Sequence, residues 1–373
     1  MVLNRREYMA ALLARDDDSD VNCGSGGGAT GSTGLRIASV FIILTGSMFG
    51  ALFPVLSRRT RWLAPHIPKG VFDFAKYFGS GVIIATAFIH LLDPATDELG
   101  SPCLAPGWSD YPYALAIALI SIFMIFIVEL IAFRWGTAKL AAIGVTHDAH
   151  GHGGGAGAHA AHGPEGAQDR MVLSDGTDAQ DSGSWKDEKN PHERDAELAV
   201  LTQHPSSVVD SVLTQIIGVA ILEFGVLLHS VLIGLTLAVT DDFITLFIVI
   251  IFHQMFEGMG VGSRLAYMEL PQKYYWVPIV GALLYGITTP IGIAVGLGVR
   301  TTYNPDGTTA SIVSGILDAF SAGILIYTGL VELLAHEFLF NKEMMTASNG
   351  KLAYALCCMI AGCGIMALLG RWA

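Results

Sequence analysis

Residues 243–263 read FITLFIVIIFHQMFEGMGVGS. A run of this length and apolarity predicts a membrane-spanning helix, because a ~30 Å hydrocarbon core takes about 20 helical residues to cross. Inside it stand His253 and Glu257, four residues apart. An ionisable side chain at the centre of a spanning helix costs about 2.5–3.5 kcal/mol on insertion scales. Something must offset that cost, and a bound divalent metal does so well. The preceding apolar stretch, Val208 to Val239, carries His229 with Ser230 beside it.

Around this stretch the whole chain has the composition of a membrane protein. It has 373 residues, 52% hydrophobic and 14% charged, against about 25% charged in a soluble protein. Apolar segments long enough to span are Leu35–Leu56, Val71–Leu92, Pro112–Phe133, Val208–Val239, Phe243–Ser263, Trp276–Val299, Ser311–Phe340 and Lys351–Gly370. The expected fold is an all-α polytopic membrane protein of eight transmembrane helices. The expected organisation is a tail (residues 1–34), helices 1–3 (35–133), a loop (134–207) and helices 4–8 with the metal site (208–373). A run of three spans, a central pair and another run of three fits an inverted repeat, 3+2+3, a plan in which transporters place the substrate site at the repeat interface.

Orientation follows from basic residues in short loops. Arg58, Arg59, Arg61 and Lys69 lie in the first loop, Arg134 and Lys139 open the third, Arg264 and Lys273 lie in the fifth, and Lys342 and Lys351 in the seventh. The even-numbered loops carry only Arg300. The odd loops are therefore expected in the cytosol and both termini outside. The net charge of −12 then lies largely outward, at Asp16–Asp18, Asp97, Glu98, Asp110, Asp241 and Asp242. An acidic outer face concentrates cations; equally, it is what the positive-inside rule leaves there. No nucleic-acid partner is expected; the partners expected are the bilayer and a divalent metal.

The tail, with its Gly- and Ser-rich Gly24–Gly34, is expected to be disordered, and Tyr8–Ala14 is too short an apolar run for a signal peptide. Cys23 and Cys103 both lie in segments assigned to the outside, where they can pair as a disulfide. Cys357, Cys358 and Cys363 lie in the last span as packing residues. The loop at 134–207 is polar and rich in Gly, Ala and Asp, and is expected to be disordered and cytoplasmic. It holds seven of the 12 histidines, among them His147, His150, His152, His159 and His162. Clustered His among Gly binds zinc, copper or nickel loosely; low-complexity drift is the alternative. A flexible loop lacks the fixed geometry of a transport site.

Residues four apart share a helix face, so His253 and Glu257 can converge on one ion, with Gln254 adjacent. Gly258, Gly260 and Gly262 let another helix approach closely. Neutral imidazole and carboxylate are ordinary Zn²⁺ ligands. The link at Asp241 and Asp242 is short, so spans four and five are antiparallel neighbours. His229 lies 12 residues before Asp241 and His253 lies 11 after Asp242. At 1.5 Å per residue the two histidines stand at similar depth, which joins them and Glu257 into one candidate metal site. Ser230 can add an oxygen or a supporting hydrogen bond.

The other intramembrane polar residues leave alternatives. Glu223 points roughly 240° away from His229 at 100° per residue, as an exit-side ligand or a partner of another helix. His90 and Asp93 form an entrance or a proton-linked pair, or else a snorkelling helix end. Glu332 and His336, with Glu337 following, suit a release path on the inner side, or a solvated helix terminus. Asp318 lies in the outer half of the same span.

Several of these segments resemble the ZIP (Zrt-, Irt-like) family of divalent metal transporters. They are Leu222-Glu223-Phe224-Gly225 with His229-Ser230-Val231-Leu232-Ile233-Gly234, and His253-Gln254-Met255-Phe256-Glu257-Gly258. Ala85 through Pro94 and Tyr327 through Leu333 are similar to the fungal zinc-uptake branch. The resemblance implies metal import into the cytosol, most simply across the plasma membrane, by alternating access. It implies ligands His229, His253 and Glu257 with Ser230 and Gln254 nearby. It further implies spans 1, 4, 5 and 6 moving against 2, 3, 7 and 8, and a homodimer. It implies no enzyme and no resident cofactor, zinc being cargo. Some members bridge a second metal with a carboxylate four residues after the first histidine; Ile233 stands there, so a single main site is expected. The rival readings are a broad transporter for Fe²⁺, Mn²⁺ or Cd²⁺, a zinc exporter of the cation-diffusion type, and an intramembrane zinc hydrolase.

Overall fold

In a computed structural model, the described residues are 23–24, 31–60, 63, 66–142, 205–268, 270–302, 304–305 and 307–372. Among the described residues, eight helices are long and apolar enough to cross a membrane: α1 (Thr33–Arg59), α2 (Lys69–Leu99), α3 (Tyr113–Ala142), α4 (Pro205–Val239), α5 (Phe243–Tyr267), α6 (Val277–Val299), α7 (Thr308–Phe340) and α8 (Asn349–Leu369). Among the described residues no strand occurs. The protein is an all-α multi-pass membrane protein. The chain divides into two compact units, 1–128 with 218–373, and 129–217. The second holds the end of α3 and the start of α4. The helix of α3 runs to Ala142, beyond the Phe133 where its apolar run stops, because Gly136 through Ala142 still contains helix formers and no proline.

Sequence-local signals set the helix ends. Ser348 caps α8 by accepting from the Lys351 amide at 3.3 Å, a standard use of a hydroxyl at an N-cap. Pro278 stands in the first turn of α6, where its missing N–H costs nothing. Two spans depart from α geometry. α2 contains a π-helical stretch at Thr86–Leu92 and α7 one at Thr328–Phe340. Each opens on a threonine that bonds back to the carbonyl four residues earlier: Thr86 to Val82 at 3.0 Å and Thr328 to Ile324 at 2.9 Å. Side-chain bonds of this kind satisfy carbonyls that a change of helical ladder leaves open.

Packing joins α1, α4, α5 and α6 around Ile43, Leu237, Phe243, Ile250 and Ile293. Ile233 packs against the same apolar cluster. On the other side α2 packs on α8 through Phe78, Val82, Ala85 and Met366, and α2, α3 and α7 meet at Ala95, Leu99, Ala114 and Ala319. Phe256 and Met259 of α5 also pack against the α2–α8 cluster. The two sets touch where Gly79 of α2 lies against Gly260 of α5. Small residues there let main chains meet.

The inter-helix connections sort onto two faces. Cys23 is disulfide-bonded to Cys103 in the α2–α3 connection. Asn304, in the α6–α7 connection, donates to the Gly24 carbonyl at 2.7 Å, and Thr308 donates to that of Cys103 at 2.9 Å. Arg36 near the start of α1 reaches the α4–α5 turn. Residues 23–24, the start of α1 and the even-numbered connections therefore share one face. On the other, Arg59 donates to the carbonyls of Met268 and Tyr275 at 3.2 and 3.1 Å. The Glu343 carboxylate there sits 2.7 Å from the Lys351 ammonium, which draws its pKa below the usual range.

Arg36 is only 1% exposed. Its guanidinium donates to the carbonyls of Leu237 (3.2 Å), Ala238 (2.9 Å) and Thr240 (2.7 Å) at the end of α4, and to Gly31 (3.0 Å). It also lies over the Phe243 ring, 4.5 Å from the centroid. The last carbonyls of a helix lack internal partners, and a hydrogen bond to a charged group contributes about 1.5–3 kcal/mol. Arg36→Met should therefore destabilise the protein by about 3 kcal/mol, with Arg36→Lys in between. Thermal unfolding in detergent checks this; an unchanged midpoint for Arg36→Met would contradict it.

Candidate metal centre

α4 and α5 run antiparallel through the turn at 240–242, which brings His229 and His253 to one depth. Their Nε2 atoms stand 3.4 Å apart. Glu257 lies one turn further along α5 on the same face, its Oε2 3.9 Å from His253 Nε2. One ligand atom from each of His229, His253 and Glu257 falls within 4.8 Å of the others. All three are buried, His253 and Glu257 completely. Three of the five residues after Glu257 are glycines, and Gly258, Gly260 and Gly262 lie against Tyr285, Gly79 and Ala51, which lets neighbouring helices close over the site.

The residues next to the histidines meet each other. Gln254 donates through Nε2 to Ser230 Oγ at 3.4 Å, one helix position round from the imidazoles. Tyr285 of α6 donates its hydroxyl to the Gln254 carbonyl at 2.6 Å and stands 3.4 Å from Glu257 Oε2. Its ring fills the space above Gly258, where a Cβ would lie 2.7 Å from a ring carbon. Glu257 Oε1 and His253 Nδ1 have no hydrogen-bond partner. Buried polar atoms are paired in the great majority of cases, so the unpaired carboxylate oxygen of Glu257, one turn from the facing Nε2 atoms, marks a place built for a further partner.

His90 joins this group. Its ring meets that of His253 edge-on, centroids 4.6 Å apart, and its Nε2 lies 3.0 Å from the Met366 carbonyl of α8. Asp93 is exposed, so the two residues point into different surroundings. The π stretch ends at Leu92, immediately before Asp93, and its wider winding alters which residues share a face. Asp318 of α7 places Oδ1 3.8 Å from His229 Nδ1. Glu223 is partly buried beside Gly281 of α6, whose missing side chain leaves room for the carboxylate. Glu332 and His336 are part-buried in the π stretch of α7. The Glu332 carbonyl accepts from Arg264 Nη2 at 3.1 Å. The loop histidines His147, His150, His152, His159 and His162 lie outside the described residues.

Sequence reasoning missed Tyr285, Lys76 and the placement of Arg264. Tyr285 gives no signal in an apolar span, where a tyrosine reads as bulk. Lys76 did carry one, a cation within the second span. It pairs with Glu337 on α7. Arg264, counted with the loops, belongs to the last turn of α5.

The family described as "ZIP Zinc transporter" matches residues 33–370. The chain is 42% identical to "Zinc-regulated transporter 1" of Saccharomyces cerevisiae, over 92% of this chain and 88% of that one. It is 36% identical to "Zinc-regulated transporter 2" of the same yeast, over 98% and 100%. It is 32% identical to "Fe(2+) transport protein 1" of Arabidopsis thaliana, over 91% and 86%.

Proposed function

The chain belongs to the ZIP zinc-transporter family, a family of transporters and not of enzymes, and from that premise we propose that it imports Zn²⁺ into the cytosol through His229, His253 and Glu257. The observation that carries this reading is the 3.4 Å between the two Nε2 atoms. A tetrahedral Zn²⁺ with Zn–N bonds of about 2.0–2.1 Å holds two ligand nitrogens about 3.3–3.4 Å apart. Glu257 Oε2 lies 3.9 Å from His253 Nε2 and within 4.8 Å of the His229 ligand atom, so a small side-chain rotation makes it a third ligand. Two imidazoles and one carboxylate favour Zn²⁺ over Mn²⁺, which prefers oxygen. Fe²⁺ and Cd²⁺ can use the same ligands, and a competition series ranks them against Zn²⁺.

Direction and location complete the proposal. The basic face, with Arg58, Arg59, Lys69 and Lys273, is cytosolic by the positive-inside rule. Both termini then lie outside, and the Cys23–Cys103 disulfide suits that side in a plasma-membrane protein. The site lies where the 1-4-5-6 set meets the 2-3-7-8 set, with His253 on one and His90 on the other. Displacement of one set along the other would turn the ion from the outer to the inner side.

The test is ⁶⁵Zn²⁺ uptake into proteoliposomes of the purified protein. Accumulation is expected, with Zn²⁺ competing better than Mn²⁺. A folded protein that accumulates no zinc would contradict the proposal. A pH series adds a second check. Imidazole binds metal only when deprotonated, so zinc affinity should decline on acidification through the histidine range. An affinity unchanged from alkaline to mildly acidic medium would remove histidine from the ligand set.

A further inference from the structure

Two imidazoles that turn their Nε2 atoms toward one ion must turn their Nδ1 atoms away from it. For His229 the direction away leads to α7. Asp318 Oδ1 stands 3.8 Å from His229 Nδ1, just beyond hydrogen-bond range, and no hydrogen bond uses that oxygen. Asp318 is only 8% exposed. A carboxylate at that depth is costly without a partner, and an imidazole N–H in a dry helix interface needs an acceptor. A ring or carboxylate rotation of under about 1 Å brings the pair into hydrogen-bond range.

The packing holds α7 where this contact requires it. Gly225 lies four residues before His229, on the same face of α4. It admits Ile324 and Leu325 of α7 so closely that a Cβ there would stand 3.0 Å from the Ile324 side chain. Ala319, next to Asp318, is fully buried against the α2–α3 cluster.

We infer that Asp318 is a positioning residue: its carboxylate accepts the Nδ1–H of His229 and so fixes the ring with the Nε2 lone pair turned to the metal. This inference rests on the metal site proposed above. It gives Asp318 a role distinct from that of an ion-carrying group along the path. Outer partners of this kind set the tautomer and ring orientation of a ligating histidine, and removing one typically weakens metal binding about 10–100-fold.

A double-mutant cycle tests it. Zn²⁺ affinity of the detergent-purified full chain is measured by competition with a chromophoric chelator. The proteins are wild type, Asp318→Ala, Asp318→Asn, His229→Ala and the pair His229→Ala with Asp318→Ala. Asp318→Ala should weaken binding about 10–100-fold. Asp318→Asn, which keeps an acceptor oxygen, should lose clearly less. In the His229→Ala background, removing Asp318 should change affinity less than about twofold. Equal losses with and without His229 would overturn the inference and make Asp318 a direct ligand. Full affinity in Asp318→Ala, with His229→Ala impaired, would also overturn it, since Asp318 would then play no part in binding. If His229→Ala itself keeps full affinity, the metal site fails first, and the two failures are told apart. Should Asp318→Ala fail to fold, Asp318→Leu, which keeps side-chain bulk and removes the acceptor, carries the same cycle.

Discussion

His253→Ala is expected to lower zinc uptake by about two orders of magnitude or more. Loss of a residue that merely supports a ligand typically costs about 10–100-fold, and His253 is placed as the ligand itself. It is also the shared member of the group: His229 stands 3.4 Å away, Glu257 3.9 Å away and the His90 ring 4.6 Å between centroids. Without it the remaining groups belong to different helices, and Glu257 loses the nearest group with which it could share a positive charge. The fold itself should survive. His253 makes no hydrogen bond to main chain, and its Nδ1 is unpaired, so truncation removes a desolvated polar group as well as packing. The measurement is initial ⁶⁵Zn²⁺ uptake at matched protein density, with monodispersity in detergent as the folding control. Uptake near the wild-type rate would show that zinc does not pass through His253.

Gly79→Leu should cost the protein its folded state or its activity. Gly79 meets Gly260 main chain to main chain, and a Cβ on either residue would collide with backbone of the other. Backbone cannot rotate aside as a side chain can, so the helices must separate. Overpacking of a tight interface costs about 1–3 kcal/mol, and more where the obstacle is rigid. The same contact positions the Phe78 and Phe256 rings, which meet edge-on at 5.3 Å. It also holds α2 where His90 touches His253. Even a variant that folds would carry His90 away from the site and disturb the plane along which the two helix sets would slide. Gly46→Ala is the control, because nothing lies within 4 Å of a Cβ there. That change should be neutral, or stabilising by about 0.5–1 kcal/mol through helix propensity. Thermal unfolding and uptake on both variants decide the matter; a Gly79→Leu protein with wild-type stability and uptake would contradict the packing described.

Much of the architecture was legible because lipid imposes a simple code. Each span is an apolar run of nearly fixed length, and the short turn at Asp241 and Asp242 fixes its flanking helices as antiparallel neighbours. Counting residues from that turn was enough to bring His229 and His253 to one depth, since helical rise is constant. Gly258, Gly260 and Gly262 announced a close helix approach. What the sequence concealed came from long-range packing or from departures from α geometry. His90 and Asp93 look like one pair on an ideal helix, but the π stretch ending at Leu92 sets them in different surroundings. The contact of Asp318 with His229 and the pairing of Lys76 with Glu337 cross between helices far apart in sequence, and no periodicity reports them. Tyr285 was hidden because a tyrosine in an apolar span reads as packing until its hydroxyl is seen beside Glu257.

The central claim is that zinc sits between spans four and five. Crystals of the full-length protein grown with Zn²⁺, measured on either side of the zinc absorption edge, test it most directly. The account predicts an anomalous peak about 2.0–2.1 Å from both His229 Nε2 and His253 Nε2, with a Glu257 carboxylate oxygen completing the set. Zinc bound elsewhere in the bundle, with no peak between those two nitrogens, would contradict it.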